Sequence, residues 1–358
     1  MSTGPSGPAT ASPRDASFAS DNVAGVSEEI MAALMEHNSG AALPYGEDPA
    51  TARLQEIARD HFGDRAEIHP VFNGTGANVV ALQALLPRWG AVICSRQAHV
   101  NNDEGAAPER LGLKLLPRSS PDGKLTPEDI GAEAEALGFV HAAQPLAVTL
   151  TQSTELGTLY TPGEIAALTG EAHTRGLAVH MDGSRLSNAA AALGTSLGGL
   201  TTELGVDVLS LGGTKNGALA AEAVVVIDPD RAPGLEFIRK HSMQLASKQR
   251  FVSAQLTALF GTDLWRRNAE HANAAAGRLG ERLAGIEGVR LSRETQVNAV
   301  FPEVPRQVAE ALQSRYLVHT WETAPSGNPV LRLMCSFRTT DEEIDALIAV
   351  AEQAARRA

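Results

Sequence analysis

A lysine at the end of an apolar run is the first residue whose type and place could do chemistry. Lys215 follows the run VDVLSL (206–211) and two glycines, in the segment LGGTKNG. The chain has 5 lysines against 25 arginines, so a lysine at this position indicates a task that arginine cannot perform. A partly desolvated lysine can lose its proton and form an imine, whereas arginine can do neither. The alternative is a solvated loop lysine, and this segment alone leaves both interpretations open.

A second reactive group, Asp182, ends the apolar run LAVHMD (177–182). Its carboxylate is expected to be half buried, which is costly unless a cation pairs with it. The protonated pyridine nitrogen of a cofactor would be such a cation. Arg185, three residues later, could instead form a structural ion pair with it. The sequence therefore leaves two partners for Asp182.

A glycine-containing turn, FNGTGAN (72–78), lies between an apolar stretch and a helical pattern. Gly74, Thr75 and Gly76 would let the backbone approach an anion closely, and the free amides and dipole of the following helix would favour a phosphate. The segment lacks both the full G-x-G-x-x-G fingerprint and the terminal Lys-Ser/Thr of a P-loop. A phosphate site and a plain turn of small residues fit this segment equally.

The remaining candidates are a histidine and several cations. His99 is either a surface residue or a flat ring that stacks on an aromatic cofactor and accepts a proton near neutral pH. Arg332 interrupts the apolar run PVLRLMCSF, so it should face a carboxylate of the protein or of a substrate. Lys248 and Arg250 are further basic candidates, with a solvated helix face as the alternative. The 10 histidines show no metal-ligand spacing, so no metal site is predicted.

These side chains must be positioned by the strands that precede them. Apolar runs that predict strands occur at 91–95, 146–153, 177–182, 206–211 and 221–228, separated mostly by amphipathic stretches. Continuously apolar strands that alternate with helices predict an α/β fold with a mainly parallel sheet covered by helices on both faces. Ligands of such sheets bind beyond the carboxyl ends of the strands. His99, Asp182 and Lys215 all follow strands at that edge.

The pattern also divides the chain into three parts. Residues 1–16 have almost no bulky side chains and are expected to be a disordered tail. Residues 17–255 are predicted to form an N-terminal arm and a large cofactor-binding domain. An Ala-rich helix, short strands and a final helix beginning at Asp341 predict a small C-terminal α+β domain over 256–358.

Composition excludes several classes of protein. With 358 residues and a net charge of −12, the chain is globular in type, and its surface is unsuited to neutralising nucleic-acid phosphates. Cys94 and Cys335 lie in apolar segments and are expected to be reduced and buried, which fits a reducing compartment. No run of 18 apolar residues occurs, and the first residues lack the features of a secretory signal. We therefore expect a cytoplasmic protein with no membrane or nucleic-acid partner.

Taken together, the motifs resemble those of the L-threonine aldolase group of the β-eliminating lyase superfamily, whose members are fold-type I enzymes that use pyridoxal 5′-phosphate (PLP). The motifs that carry the resemblance are SDNVAG (20–25), PYGED (44–48), FNGTGAN (72–78), AHVNNDEGAAPE (98–109), TQSTELGTLY (151–160), HMDGSR (180–185), LGGTKNG (211–217), QLASKQRF (244–251) and LRLMCSF (331–337). The resemblance spans residues 18 to about 350, and nine motifs in the same order are far more specific than any one of them.

The resemblance implies how the cofactor would be held. Lys215 would carry it as an imine, Asp182 would pair with the pyridine nitrogen, and His99 would stack on the ring. The turn Gly74–Gly76 would bind the phosphate, and Lys248 would reach the same phosphate.

The resemblance also implies a substrate site. Ser20, Arg185 and Arg332 would bind the carboxylate of an amino acid, with Arg185 also near the 3′-oxygen of the cofactor. Tyr45 would come from a neighbouring subunit, so a homodimer or homotetramer with shared active sites is expected. The implied reaction is the reversible cleavage of L-threonine, L-allo-threonine or related L-3-hydroxy-α-amino acids, phenylserine included, to glycine and an aldehyde.

One motif departs from the family pattern. Many members carry a second histidine in a T-H-N-G motif, where this chain has Thr154-Glu155-Leu156-Gly157. Glutamate can also accept a proton, so Glu155, alone or with His99, is the candidate catalytic base.

Two other functions remain possible at this stage. A PLP-dependent β-eliminating lyase or aminotransferase acting on a small amino acid could use the same residues. A cofactor-binding or scaffold protein without turnover is the alternative from another class. Lys215 and Asp182 together count against it, because a binding protein needs neither an imine nor a protonated pyridine.

Overall fold

The fold was analysed in a computed structural model, which describes residues 14–356. Most of the expected disordered tail, residues 1–13, lies outside this range. Asp15, the first residue with a strand-like contact, forms a parallel bridge with Tyr316. The proposed boundary of the tail at residue 16 stays a prediction.

Helices and strands alternate through most of the described chain. The helices are α1 (Glu28–Glu36), α2 (Pro49–Phe62), α3 (Gly74–Leu85), α4 (His99–Asn102), α5 (Ala107–Arg110), α6 (Pro127–Ala134), α7 (Pro162–Thr174), α8 (Leu186–Ala192), α9 (Leu235–His241), α10 (Arg250–Phe260), α11 (Leu264–Ala284), α12 (Arg306–Arg315) and α13 (Asp341–Ala355). The strands are β1 (Glu67–Val71), β2 (Gly90–Ser95), β3 (Lys114–Arg118), β4 (Gln144–Thr151), β5 (Ala178–Gly183), β6 (Val208–Gly212), β7 (Glu222–Val226), β8 (Arg290–Leu291), β9 (Ala299–Val300), β10 (Pro302–Glu303), β11 (His319–Thr323) and β12 (Pro329–Met334).

The larger sheet has seven strands in the order β1-β7-β6-β5-β4-β2-β3. β2, β4, β5 and β6 correspond to four of the predicted runs and are mutually parallel, and β3, for which no run was identified, is parallel to β2. The fifth run, 221–228, contains β7. β7 is antiparallel to both of its neighbours. Its direction has a physical reason, since the connection from Gly212 to Glu222 is too short for the crossover that a parallel pair requires.

Helices cover both faces of this sheet, so the predicted α/β class is confirmed. One face packs Val179, Met181 and Leu209 against helices that include α2, α7 and α10. The other face packs Val208 and Val224 against α3 and α9. Because both faces are buried, the central strands are apolar along their whole length, which produced the runs seen in the sequence.

The smaller sheet is antiparallel and is built from the last five strands, with β12 in contact with β9, β10 and β11. Its core includes Leu279, Leu333 and Ile348, from α11, β12 and α13. Phe18, from the N-terminal segment, is fully buried in the same core. The exact division of the chain at residues 255 and 256 stays a prediction.

Both cysteines are buried and unpaired, as expected from their apolar segments. Between Arg14 and Arg356, none of the helices has the combined length and apolar character that crossing a membrane requires. The described residues also contain no cluster of three or more His, Cys, Asp or Glu side chains arranged to hold a metal ion.

Candidate active site

Two adjoining cavities lie at the carboxyl ends of the parallel strands, with volumes of about 620 and 360 Å³. They share Asn22, His99 and Lys215. Of the residues singled out in the sequence, the larger cavity is lined by Ser20, His99, Glu155, Arg185, Lys215 and Arg332, and the smaller one by Gly74, Thr75, His99 and Lys215. The sequence motifs therefore converge on one place.

Lys215 sits in a short turn, Thr214–Asn216, directly after β6. A buried carboxylate, Glu222 on β7, holds the start of this turn: Oε2 accepts a hydrogen bond from the Gly213 amide at 3.0 Å, and Oε1 accepts one from the Thr214 amide at 3.2 Å. The Lys215 side chain lines both cavities. This position does not fit the alternative of a loop lysine surrounded by solvent.

Asp182 is buried at the end of β5. Its Oδ1 accepts from the Ser184 amide at 3.0 Å, and its Oδ2 accepts from Nδ2 of Asn78 at 2.9 Å. Burial alone would raise the pKa of Asp182, but the charge of Lys215 and these hydrogen bonds outweigh it and hold the pKa below its ordinary value. Asp182 is therefore an anion at neutral pH, ready to face a cation.

Arg185 does not form the alternative ion pair with Asp182. Its guanidinium instead binds Asp21, with Nε 2.6 Å from Oδ2 and Nη2 2.9 Å from Oδ1. Nδ2 of Asn298 donates to the same carboxylate at 3.1 Å. Ser20, the neighbour of Asp21, caps the following turn by accepting from the Asn22 amide at 3.2 Å. Arg185 and Ser20 thus both line the larger cavity, but Arg185 is already held by a carboxylate of the protein.

The turn Gly74–Gly76 forms the N-terminus of α3. The side chain of Asn73 caps this helix by accepting from the Gly76 amide at 2.7 Å. Gly74 and Thr75 line the smaller cavity. A Cβ at Gly76 would lie 2.4 Å from Cδ of Gln244, so a side chain there would displace the amide of Gln244. The first turn of a twelve-residue helix therefore borders the cavity, with its dipole suited to an anion.

His99 is the first residue of α4 and is tied to two carboxylates. Its ring Nδ1 lies 2.8 Å from Oε1 of Glu104, and its backbone amide donates to Oε1 of Glu155 at 2.7 Å. The hydrogen bond with Glu104 raises the pKa of His99 against the opposing effect of partial burial. His99 is therefore an oriented ring rather than a surface histidine.

Glu155 follows β4 and is partly buried against the larger cavity. Its Oε2 is buried without a hydrogen-bond partner among the described residues. Burial raises the pKa of Glu155 to about 7, and the charge of Asp182 acts in the same direction. A carboxyl group with this pKa can either hold or accept a proton at neutral pH.

Arg332, on β12, lines the larger cavity and has no carboxylate of residues 14–356 within ion-pair distance, although the charges of Asp21 and Asp103 act on it from farther away. Its guanidinium stacks on Trp321 at 4.8 Å, and its Nε is buried without a partner. Burial, and then the charge of Arg185, lowers the pKa of Arg332. Of the two partners left open by the sequence, a carboxylate brought by a substrate is the one that this arrangement fits.

Four of the predicted residues do not line the cavities. Asp182 and Gly76 lie directly behind the lining residues Asn78 and Thr75, whereas Tyr45 and Lys248 lie on the surface of the single chain. Tyr45 is 47% exposed, and its backbone amide donates to the carbonyl of Ser247 at 2.9 Å. Lys248, the next residue, is exposed as well. The ammonium group of Lys240 instead lies over the ring of Tyr45, 4.5 Å from the ring centre.

Four site residues were missed in the sequence: Asp21, Asn78, Glu104 and Glu222. Each lies inside or next to a motif that had been noticed for a neighbouring residue. The available signal was a polar side chain in an otherwise apolar or small-residue segment, as with Glu222 in AAEAVVVI.

Comparison with known proteins gives a consistent result. A family model described as "Beta-eliminating lyase" matches residues 17–305. The low-specificity L-threonine aldolase of Pseudomonas aeruginosa is 41% identical, over 92% of this chain and 95% of the relative. The enzyme of the same name from another Pseudomonas strain is 40% identical, over 93% of this chain and 96% of the relative.

Among solved structures, the threonine aldolase of Leishmania major superposes with a TM-score of 0.90 at 25% identity, covering 95% of this chain and 99% of that one. The resemblance inferred from the sequence motifs is thus confirmed, together with the fold-type I architecture. On the matched residues, the chain belongs to the beta-eliminating lyase family.

Proposed function

We propose that this protein is a PLP-dependent carbon–carbon lyase that cleaves L-threonine, L-allo-threonine and related L-3-hydroxy-α-amino acids to glycine and an aldehyde. The observation that carries the proposal is the pair of joined cavities, where the amine of Lys215, the oriented imidazole of His99 and the guanidinium of Arg332 meet. The buried carboxylate of Asp182 lies directly behind the lining residue Asn78. The L-threonine aldolases that match nearly the whole chain support the same activity.

The residues around the smaller cavity fit PLP, the cofactor of this family. The N-terminus of α3, at Gly74 and Thr75, would bind the phosphate, and Asp182 would accept a hydrogen bond from the pyridine nitrogen. His99 would lie against the ring, and Nζ of Lys215 would hold the cofactor covalently. When bound, PLP supplies an electron sink for the bond that breaks at Cα, and the protein supplies orientation and electrostatics.

The substrate carboxylate would bind in the larger cavity. Arg332 has an unpartnered Nε and no protein carboxylate in contact among the described residues, so it is the main ligand in this proposal. Nε and Nη2 of Arg185 both donate to Asp21. Only Nη1 of Arg185 is therefore left to donate to a substrate carboxylate. The hydroxyl of Ser20 completes the carboxylate site. Fixing the carboxylate fixes which bond at Cα is presented for cleavage.

The β-hydroxyl proton must be removed for the Cα–Cβ bond to break. We assign this proton to Glu155, acting with His99. Support comes from the pKa of Glu155, which burial raises to about 7, and from its unpartnered Oε2 beside the cavity. A positioned base with such a pKa can take the proton and return it to the glycine product.

The site is completed by a second copy of the chain in this proposal. Tyr45 and Lys248 lie on the surface of one chain, next to each other, so they can reach the cavities of a partner. Met31, Met35 and Leu43, in the same N-terminal arm, are exposed by 45%, 69% and 62%. Exposed apolar side chains grouped in this way mark an interface. We thus propose a homodimer or homotetramer with shared active sites.

We also propose that the protein works in the cytoplasm. Its two cysteines are free and buried, which fits a reducing compartment.

The activity can be tested by its products. Purified protein saturated with PLP is incubated with L-threonine, L-allo-threonine and phenylserine, and glycine and the aldehyde are quantified. Equimolar glycine and aldehyde are expected. Pyruvate or another keto acid with ammonia would show a β-eliminating lyase, and amino transfer to an added keto acid would show an aminotransferase. A cofactor absorbance band without any product would show a binding protein.

A further inference from the structure

Four side chains from separate elements form a continuous hydrogen-bonded chain, in which His99 and Asn78 line the cavities and Asp182 and Glu104 lie behind them. Nδ2 of Asn78, on α3, donates to Oδ2 of Asp182 at 2.9 Å and to Oε1 of Glu104 at 2.9 Å. The same Glu104 oxygen lies 2.8 Å from Nδ1 of His99. One amide and one carboxylate therefore connect the carboxylate of Asp182 to the ring of His99.

Glu104 is the unusual member of this chain. Its side chain is fully buried, and His99 is the only basic side chain within salt-bridge distance among the described residues. A buried carboxylate is costly unless it is paired and hydrogen-bonded. Glu104 therefore needs a hydrogen on Nδ1 of His99. This requirement leaves Nε2 as the ring nitrogen without a protein partner, since no hydrogen bond joins it to residues 14–356.

We propose that Glu104 is a positioning residue of the active site, which keeps His99 protonated at Nδ1 and turns Nε2 to the cavities, while Asn78 fixes the same carboxylate relative to Asp182. The inference deepens the proposed function, because it rests on His99 lying against the cofactor ring. It goes beyond that function because it assigns the tautomer of His99 and identifies Glu104 as its cause. Glu104 lines neither of the two cavities, whereas Asn78 lines the smaller one.

The charges around His99 come from several elements. Glu104, after α4, and Asp182, on β5, favour its protonated form, whereas Lys215, after β6, opposes it. Glu155, after β4, accepts from the backbone amide of His99. Because Glu104 is the member in direct contact with the ring, its removal should change the state of His99 most.

Two substitutions separate charge from position. Glu104→Gln retains an oxygen that can accept from Nδ1 and from Asn78, but it removes the charge. Glu104→Ala removes both. Glu109→Gln is the matched control, since Glu109 is an exposed carboxylate five residues away. All variants are prepared as cofactor-saturated protein with ¹⁵N-labelled histidine, and the signal of His99 is identified by its loss in His99→Gln.

The main readout is the ring ¹⁵N shifts of His99 as a function of pH. We expect a neutral ring with hydrogen on Nδ1 in the wild type and in Glu104→Gln, with a lower pKa in the variant. In Glu104→Ala the preference for Nδ1 should be lost. Steady-state turnover of L-threonine gives the second readout. kcat should fall about ten- to a hundredfold in Glu104→Ala, the range for losing one charge-assisted hydrogen bond.

A wild-type ring with hydrogen on Nε2, or a Glu104→Ala variant with the wild-type tautomer and pKa of His99, would overturn the proposal. If Glu104→Ala does not fold, Glu104→Gln still tests the proposal. An unchanged pKa of His99 in Glu104→Gln would show that the charge of Glu104 does not act on the ring, and would contradict the proposal. The ring measurement needs no turnover. Failure of the proposed aldolase activity would consequently appear in the product assay alone, and failure of this inference in the ring shifts.

Discussion

Arg185 and Asp21 are joined by two parallel hydrogen bonds, although 163 residues separate them along the chain. Both groups are buried, with 17% of the Arg185 side chain and 1% of the Asp21 side chain exposed. Burial alone would lower the pKa of Arg185, but Asp21 more than offsets this effect. The pair fixes the orientation of a guanidinium that lines the larger cavity.

Asp21→Asn should therefore weaken both folding and substrate binding. A buried pair that loses one partner costs about 3 to 5 kcal/mol, and a loosened Arg185 no longer completes the carboxylate site. We expect a lower free energy of unfolding in urea and a higher KM for L-threonine. Asp60→Asn, which changes an exposed aspartate on α2, is the control. Wild-type values of both quantities in Asp21→Asn would contradict the role given to this pair.

Lys215 is expected to be the covalent attachment point of the cofactor. Reduction of the PLP-saturated enzyme with borohydride, followed by peptide mapping, should place the label on the peptide that contains Lys215. The physical reason is its place in both cavities, beside the strand that ends in Asp182. A label on Lys248, or on Lys240 next to Tyr45, would contradict the arrangement of the site.

Arg332→Lys keeps the positive charge but removes the paired N–H donors of the guanidinium, so it tests the geometry of the side chain rather than its charge. Lysine cannot make two parallel hydrogen bonds to a carboxylate, nor can it reproduce the flat stacking on Trp321. We expect kcat/KM for L-threonine to fall about ten- to a hundredfold, with the cofactor spectrum unchanged. Arg338→Lys, on the nearby loop after β12, serves as the control. Unchanged KM and kcat in Arg332→Lys would exclude it from substrate binding.

Glu155→Gln tests the assignment of the base. The amide can still accept from the His99 backbone, so the site should keep its shape, but it cannot take a proton. We expect kcat to fall by about 10² to 10⁴ while the cofactor absorbance stays intact. Turnover of Glu155→Gln at the wild-type rate from pH 6 to 9 would show that Glu155 does not accept the β-hydroxyl proton. His99 would then be the candidate base.

The same variant should change how stability depends on pH. Below about pH 4.5 the carboxyl is protonated in both the folded and the unfolded chain. Between pH 4.5 and about 7 the folded protein keeps a proton that the unfolded chain has lost, so wild-type stability decreases as the pH rises through this interval. Glu155→Gln removes this loss. Its free energy of unfolding, relative to the wild type, should rise by up to roughly 3 kcal/mol between pH 4.5 and 8, and an identical pH dependence of the two proteins would contradict the buried carboxyl.

The sequence was sufficient to locate the site because parallel strands bring their carboxyl ends to one edge. Asp182 and Lys215 follow neighbouring strands of the sheet, and an apolar run with a reactive side chain at its end identifies each of them. The same reasoning could place Glu155 after β4. Strand direction was harder to infer, since the antiparallel β7 is buried on both faces and is as apolar as the parallel strands of the same sheet.

The partners of these residues could not be inferred in this way. Asn78 contacts Asp182 across 104 positions, and Asn298 contacts Asp21 across 277. Such pairs depend on how helices and the small sheet pack, and no local pattern records that packing. The pairing of Arg185 shows the difficulty, because Asp182 was near in sequence and Asp21 was the partner in space.

The N-terminal segment has a consequence for how the protein is made. The carbonyl of Phe18 accepts a hydrogen bond from the Met334 amide at 3.0 Å, and the carboxylate of Asp21 accepts hydrogen bonds from Arg185 and Asn298. A ribosome releases the N-terminal segment first, yet its partner Met334 lies 316 positions later in the chain. The proposed substrate site therefore cannot be complete until the chain has been synthesised through Met334. A nascent chain that stalls before this residue contains every strand of the larger sheet but no finished substrate pocket.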